Sequence, residues 1–218
     1  TENKKNPFMR DVFIDEVYRY AKKNKNIYFT TPDMGAPSLD KYRDELPKQF
    51  IHAGISEQNM ISMAAGLSVR KKNVICYAMA PFITSRCYEQ IKCSISAMNQ
   101  KVTLVGIGVG LGYADAGPTH YANEDYACAR AVVGTAVYTA ADSQTTEQIA
   151  LELISSPKFA YVRLDREELP DLGVLSDGDI KAGFRAIGDP DSSKVGLVSH
   201  GFMLHRCVEI QKAHPEIF

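Results

Sequence analysis

No stretch of this 218-residue chain approaches the ~20 consecutive apolar residues that a membrane-spanning helix needs, so no transmembrane segment is expected. Charge of one sign is not in excess either. The chain has 25 Lys and Arg against 26 Asp and Glu, a net charge of -1, which leaves no basic surplus for nucleic acid and no acidic tail. The opening Thr1–Pro7 is polar and lacks the apolar centre of a signal peptide, and it lacks an initiator Met, as expected of a sequence that starts inside a longer chain. Cysteine is sparse: Cys76, Cys87, Cys93, Cys128 and Cys207 are odd in number and form no C-x-x-C pair. Free thiols in a reducing cytoplasm fit that usage better than a disulfide framework, and a catalytic thiol would lack an obvious neighbouring base.

What remains is the composition of an ordinary globular protein, with 45% hydrophobic and 23% charged residues and enough length for one domain and part of another. Apolar residues Phe8, Val12, Phe13, Val17 and Ala21 recur at helical spacing and predict an opening helix over Phe8–Lys23. Short apolar runs predict strands at Ile27–Thr31, Phe50–Ala53, Val74–Met79, Val102–Ile107, Ala136–Thr139 and Ala160–Leu164. A polar loop is expected between the first two, as far as Lys48. Helices are expected from Ser56, with Ser56 as N-cap and Glu57 in the first turn, then over Phe82–Met98, Glu124–Val132 and Thr145–Ser155.

Alternation of near-continuous apolar strands with helices predicts an α/β fold, a mostly parallel sheet with helices on both faces. Ligands on such sheets sit beyond the carboxyl ends of the strands, so the loops after Phe29, Ala53, Met79, Ile107 and Leu164 are the ones to inspect. Residues 1–166 form this domain. Residues 167–193, rich in Pro, Gly, Asp and Ser, read as a linker with an edge segment at Ile180–Ile187. A strand at Lys194–His200 and a helix at Phe202–Ala213 then begin a second α/β unit within 194–218 that is not completed.

Three segments carry chemistry-bearing residues in a specific order. The first is Gly54-Ile55-Ser56-Glu57-Gln58-Asn59-Met60 followed by Ala64-Ala65-Gly66-Leu67. The second is Ala78-Met79-Ala80-Pro81-Phe82-Ile83-Thr84-Ser85-Arg86-Cys87-Tyr88-Glu89-Gln90, and the third is Gly110-Leu111-Gly112, then Gly117-Pro118-Thr119-His120, then Glu124-Asp125. Taken singly, Glu57 is a first-turn acid facing a helix dipole, Phe82 is packing at a helix start, and His120 is a loop histidine. Together the segments resemble the pyrimidine-binding domain of the transketolase family. The likeness is strongest to the separately encoded C-terminal subunits of split transketolases, and it extends to 1-deoxyxylulose-5-phosphate synthase.

The resemblance spans about Pro7 to Arg166 and implies thiamine diphosphate as cofactor. It makes Glu57 the carboxylate on the cofactor's pyrimidine ring nitrogen and Phe82 the ring stacked on it, with Asp33 near the thiazolium. His120 would face the substrate oxygen, Arg166 would bind a substrate phosphate, and His52 would lie toward the substrate. Gly-Asp-Gly, the family's diphosphate and Mg²⁺ motif, is absent, and Asp177-Gly178-Asp179 reverses it. The diphosphate and its Mg²⁺ are therefore expected on an N-terminal partner subunit or domain, with this domain as a homodimer within the larger assembly. No His occurs between His52 and His120, and Ala116 stands where the family has an Asp before Gly-Pro-Thr-His. Both departures point to a non-standard sugar.

The implied reaction is transfer of a two-carbon ketol unit between sugars. Synthase or 2-oxoacid-decarboxylating chemistry on the same cofactor, and a non-catalytic homologue that docks on a partner, stay open as alternatives.

Overall fold

Burial, more than intrinsic propensity, decides the architecture of the computed structural model, which describes residues 7–173, 177–188 and 194–217. Strands β1 (Ile27–Thr31), β2 (Phe50–His52), β3 (Asn73–Met79), β4 (Val102–Ile107), β5 (Ala136–Thr139) and β6 (Ala160–Leu164) form one sheet in the order β2-β1-β3-β4-β6-β5. Every pairing is parallel. Every residue of β4 and β6 is buried, as a parallel sheet covered on both faces demands.

The two faces are visible in single strands. On β3, Ile75 and Tyr77 point to one core and Val74, Cys76 and Ala78 to the other. Helices α1 (Met9–Ala21) and, later in the chain, the helix over Ser143–Ser155 cover the first face. Met9, Phe13, Ile14 and Val17 of α1 share that core with Ile149 and Leu153.

A short helix α2 (Asp40–Glu45) lies where the sequence predicts a polar loop. Six residues are too few to show a helical period. Leu39 and Tyr42 are nevertheless fully buried, and Tyr42 packs at 5.3 Å from Phe29 and 5.8 Å from Phe50, so tertiary contact holds the turn.

The second face is covered by α3 (Glu57–Val69), through Met60, Ile61, Ala64 and Ala65. The segment predicted as one helix over Phe82–Met98 is broken. It runs as α4 (Ala80–Ile83), a 3₁₀ turn at Ser85–Cys87, α5 (Tyr88–Gln90) and a π-helical stretch Ile91–Ser96. The break falls at Thr84, whose hydroxyl bonds back to the Ala80 carbonyl at 2.6 Å, a contact that bends helices.

The chain continues through α6 (Asp125–Ala131), α7 (Ser143–Ser155), α8 (Asp177–Ala182) and α9 (Phe202–Ala213). The edge segment expected at Ile180–Ile187 begins inside α8, and no strand follows it among the described residues. Lys194–His200 is not a strand either. Among the described residues, its one sheet-like feature is a pair of bonds from the Lys194 and Val195 amides to the Ile217 carbonyl, and Val195, Leu197 and Val198 are exposed. A lone apolar run without a neighbour to pair with has no ladder to join. Helix α9 forms as predicted, and buried His205 places Nε2 2.7 Å from the Ala141 carbonyl oxygen.

Asp142 fastens α7. One carboxylate oxygen accepts from the Thr145 amide at 2.7 Å and its hydroxyl at 2.6 Å, and the other accepts from the Leu172 amide at 2.9 Å. The residue is fully buried. Asp142→Ala loses the cap and strands buried donors, so urea unfolding should show a loss of about 2–4 kcal/mol. Asp142→Asn, which keeps the acceptor oxygen of the cap, should lose less.

Candidate functional site

Glu57 is delivered by a tight exit from β2. Gly54 sits at φ 71°, a left-handed conformation that glycine adopts without strain. The Ser56 amide donates to the Gly54 carbonyl at 2.7 Å, and the Ser56 hydroxyl donates to the Ala53 carbonyl at 2.6 Å. Ser56 therefore occupies the N-cap position but spends its side chain on the preceding turn, and no side-chain cap bond forms, contrary to expectation.

The carboxylate of Glu57, in the first turn of α3, keeps only 5% of its side-chain surface exposed. Arg86 meets it, with Nη1 donating to Oε2 at 2.9 Å. The reverse clamp comes from Gln58, whose Nε2 donates to the Arg86 carbonyl at 3.1 Å. The guanidinium of Arg86 also lies 3.9 Å over the Phe82 ring centre.

From Phe82 the contacts run on. His120 approaches its ring at 5.1 Å with an interplanar angle of 63°, and His120 Nδ1 lies 2.9 Å from the Thr119 hydroxyl. Tyr113 lies 6.5 Å from His120, and Arg166 stacks 4.5 Å over Tyr113. Arg166 donates from Nη1 to Asp115 at 2.7 Å and to the Gly112 carbonyl at 3.2 Å. The hydrogen bond to Asp115 holds that carboxyl below its ordinary range and Arg166 above its own. Glu57, Phe82, His120 and Arg166 are thus joined in one run by Arg86 and Tyr113.

Asp33 and His52 lie at the ends of β1 and β2, both exposed, 3.8 Å apart. Among the described residues, no hydrogen bond or ion pair ties them to the Glu57 run.

The loop that carries His120 is pinned at its neck by a bridge between Gly110 and Ala122, with bonds of 3.2 and 2.8 Å. At Gly108, φ 76°, a side chain would also collide with the Tyr113 ring. Beyond the neck, α6 is anchored by a buried ion pair. Asp125 accepts from Arg163 Nε at 2.8 Å and Nη2 at 3.0 Å, from the Tyr161 hydroxyl at 2.7 Å and from the Tyr126 amide at 2.6 Å. Burial, then the Asp125 charge, push the Tyr161 phenol well up. Burial works against the Arg163 charge, but Asp125 outweighs it and raises Arg163 above its ordinary value.

Neither Arg86 nor the Asp125–Arg163 pair stands out as functional in the sequence. A signal is present in each case. Arg86 stands four residues after Phe82, one helical turn on, and Arg163 is a charge inside an otherwise apolar strand.

These features define an α/β domain that gathers Glu57, Phe82, His120 and Arg166 at the carboxyl ends of parallel strands. The comparisons then fix its family: residues 5–171 match the transketolase pyrimidine-binding domain, and the chain belongs to that family.

Among its relatives, an apulose-4-phosphate transketolase subunit of Phocaeicola vulgatus is 31% identical over 80% of this chain and 56% of that protein. A 6-deoxy-6-sulfo-D-fructose transketolase subunit of Clostridium is 28% identical over 79% of this chain and 53% of that protein. A 1-deoxy-D-xylulose-5-phosphate synthase of Corynebacterium glutamicum is 28% identical over 89% of this chain and 32% of that protein. The chain thus spans about half the length of the transketolase subunits it matches.

The fold recurs in a split-gene transketolase described as an inactive beta4 tetramer (TM-score 0.79, 23% identity, 96% of this chain and 68% of that chain). It recurs also in a Pichia stipitis transketolase (TM-score 0.86, 18% identity, 99% of this chain and 34% of that chain).

Removing one partner of a buried ion pair leaves an uncompensated charge. Asp125→Ala should therefore cost about 3–5 kcal/mol in denaturant unfolding. Asp125→Ala combined with Arg163→Met should recover much of that loss.

Proposed function

We propose that this chain supplies the pyrimidine-binding half of a thiamine-diphosphate-dependent transketolase and takes part in transferring a two-carbon ketol unit between sugars. The observation that carries the reading is Glu57, a carboxylate held almost out of water beside an aromatic ring, with a planar cation bound to its Oε2. That environment suits a flat, protonatable heteroaromatic ring.

The cofactor, when bound, supplies the carbanion chemistry. Glu57 would hold a proton at the pyrimidine ring nitrogen, and the Phe82 ring would stack on the heterocycle. His120, whose Nδ1 is engaged by Thr119, would offer Nε2 to a substrate oxygen. Arg166, whose Nη1 is taken by Asp115 and the Gly112 carbonyl, would meet a phosphate through its remaining N–H donors. Asp33 and His52 are assigned to the rim of the same crevice.

The pyrimidine half of the cofactor fits these residues. Its diphosphate and Mg²⁺ call for other ligands: the sequence has no Gly-Asp-Gly, and no cluster of three or more His, Cys, Asp or Glu able to hold a metal occurs among the described residues. A diphosphate-binding partner chain or domain would supply them, with this domain paired to a second copy and residues 194–217 opening the family's C-terminal domain. The sugars named for the relatives, apulose-4-phosphate and 6-deoxy-6-sulfo-D-fructose, support an unusual ketose donor here.

In the enzyme assembled with its diphosphate-binding partner, Glu57→Gln should lower kcat by at least about 10²-fold with intact folding, since a proton-transfer role is worth roughly that much. Near-normal turnover would remove the assignment. Ketose donors should be consumed in preference to pyruvate, and the opposite preference would favour the synthase alternative.

A further inference from the structure

We infer that Arg86 is an internal stand-in for the cofactor's pyrimidine ring, occupying its place on Glu57 and Phe82 and leaving when the ring arrives. The inference rests on the reading above. The guanidinium is flat, cationic and an N–H donor, and it makes the two contacts assigned to the protonated pyrimidine. Its Nη1 donates to Glu57 Oε2 at 2.9 Å while its Cζ lies 3.9 Å over the centre of the Phe82 ring. A ring that takes Oε2 and this face of Phe82 displaces Arg86 from both.

The surrounding turn is built so that only this side chain has to move. Its backbone is tied by Thr84 Oγ1 to the Ala80 carbonyl at 2.6 Å, Ser85 Oγ to the Pro81 carbonyl at 3.0 Å and Cys87 Sγ to the Phe82 carbonyl at 3.1 Å. Gln58 holds the Arg86 carbonyl itself. Cys87 is inert in this role, since burial, with the Glu57 charge added, pushes its thiol up to about 12. The Arg86 side chain, by contrast, has 41% of its surface in solvent.

Occupying the site this way has a physical purpose. Glu57 is nearly buried, and without a cation it would face the interior uncompensated. Arg86 neutralises it until a second planar cation takes over. The exchange makes cofactor binding a competition, and apparent affinity falls in proportion to the fraction of time the site stays open.

The test uses the whole chain and one probe, 4-amino-5-hydroxymethyl-2-methylpyrimidine, titrated by ligand-observed NMR into wild type, Arg86→Gln, Arg86→Lys and Glu57→Gln. Each variant is first checked for cooperative unfolding, and Arg86→Lys keeps the charge should Arg86→Gln fail to fold. If Arg86 closes the site about nine-tenths of the time, Arg86→Gln should bind the probe about tenfold more tightly. Arg86→Lys, which lacks the planar stack, should fall between it and wild type, and Glu57→Gln should lose binding. Glu57-dependent binding that is equal or weaker in both Arg86 variants overturns the inference and leaves the pyrimidine site standing. Absence of Glu57-dependent binding in every variant overturns the site assignment and the inference with it.

Discussion

A carboxylate kept out of water at the first turn of a helix is the constraint around which this end of the sheet is arranged. Removing an ion from water costs several kcal/mol even after relaxation, so such a group persists only with partners. The α3 N-terminus offers a favourable dipole, and Arg86 offers the countercharge at 2.9 Å. Both depend on placement. Gly54 turns the chain out of β2 so that Glu57 enters the crevice, and the break at Thr84 turns the chain after β3 so that Arg86 comes back to meet it.

The His120 side of the crevice depends on a different anchor. Asp125 and Arg163 lock α6 onto β6 from within the core, and the Gly110–Ala122 bridge closes the loop above it. The glycine-rich segment is thus held at both ends, while its tip carries Tyr113, Asp115 and His120 toward Phe82 and Arg166. Arg86 and Arg166 flank a run of three rings, Phe82, His120 and Tyr113. Such contacts are individually modest, and their value here is positional.

The sheet is legible in the sequence because each central strand is a short, nearly unbroken apolar run, which only burial on both faces explains. Glu57, Phe82 and His120 stand out through their motifs, and the fold connects them. What escapes is decided by tertiary contact. Tyr42 sits in a polar stretch yet fills the core, so α2 leaves no periodic trace. Thr84 reads as an ordinary helical residue until its back-bond breaks the helix. Lys194–His200 has strand composition but no neighbour to pair with among the described residues. Arg86 looks like any surface arginine until the partner carboxylate comes from 29 residues earlier in the chain. Asp33 and His52, chosen from the same resemblance, face each other across β1 and β2 and are not hydrogen-bonded or ion-paired to the Glu57 run among the described residues.

The central proposal is that Glu57 bonds the cofactor's pyrimidine nitrogen, and nitrogen NMR reads that contact directly. With thiamine diphosphate labelled with ¹⁵N at the pyrimidine ring nitrogen opposite the amino group, bound in the assembled enzyme at neutral pH, the resonance should move toward that of the protonated ring. In the Glu57→Gln enzyme it should return toward the free cofactor's position. The same resonance position in both enzymes would contradict the account.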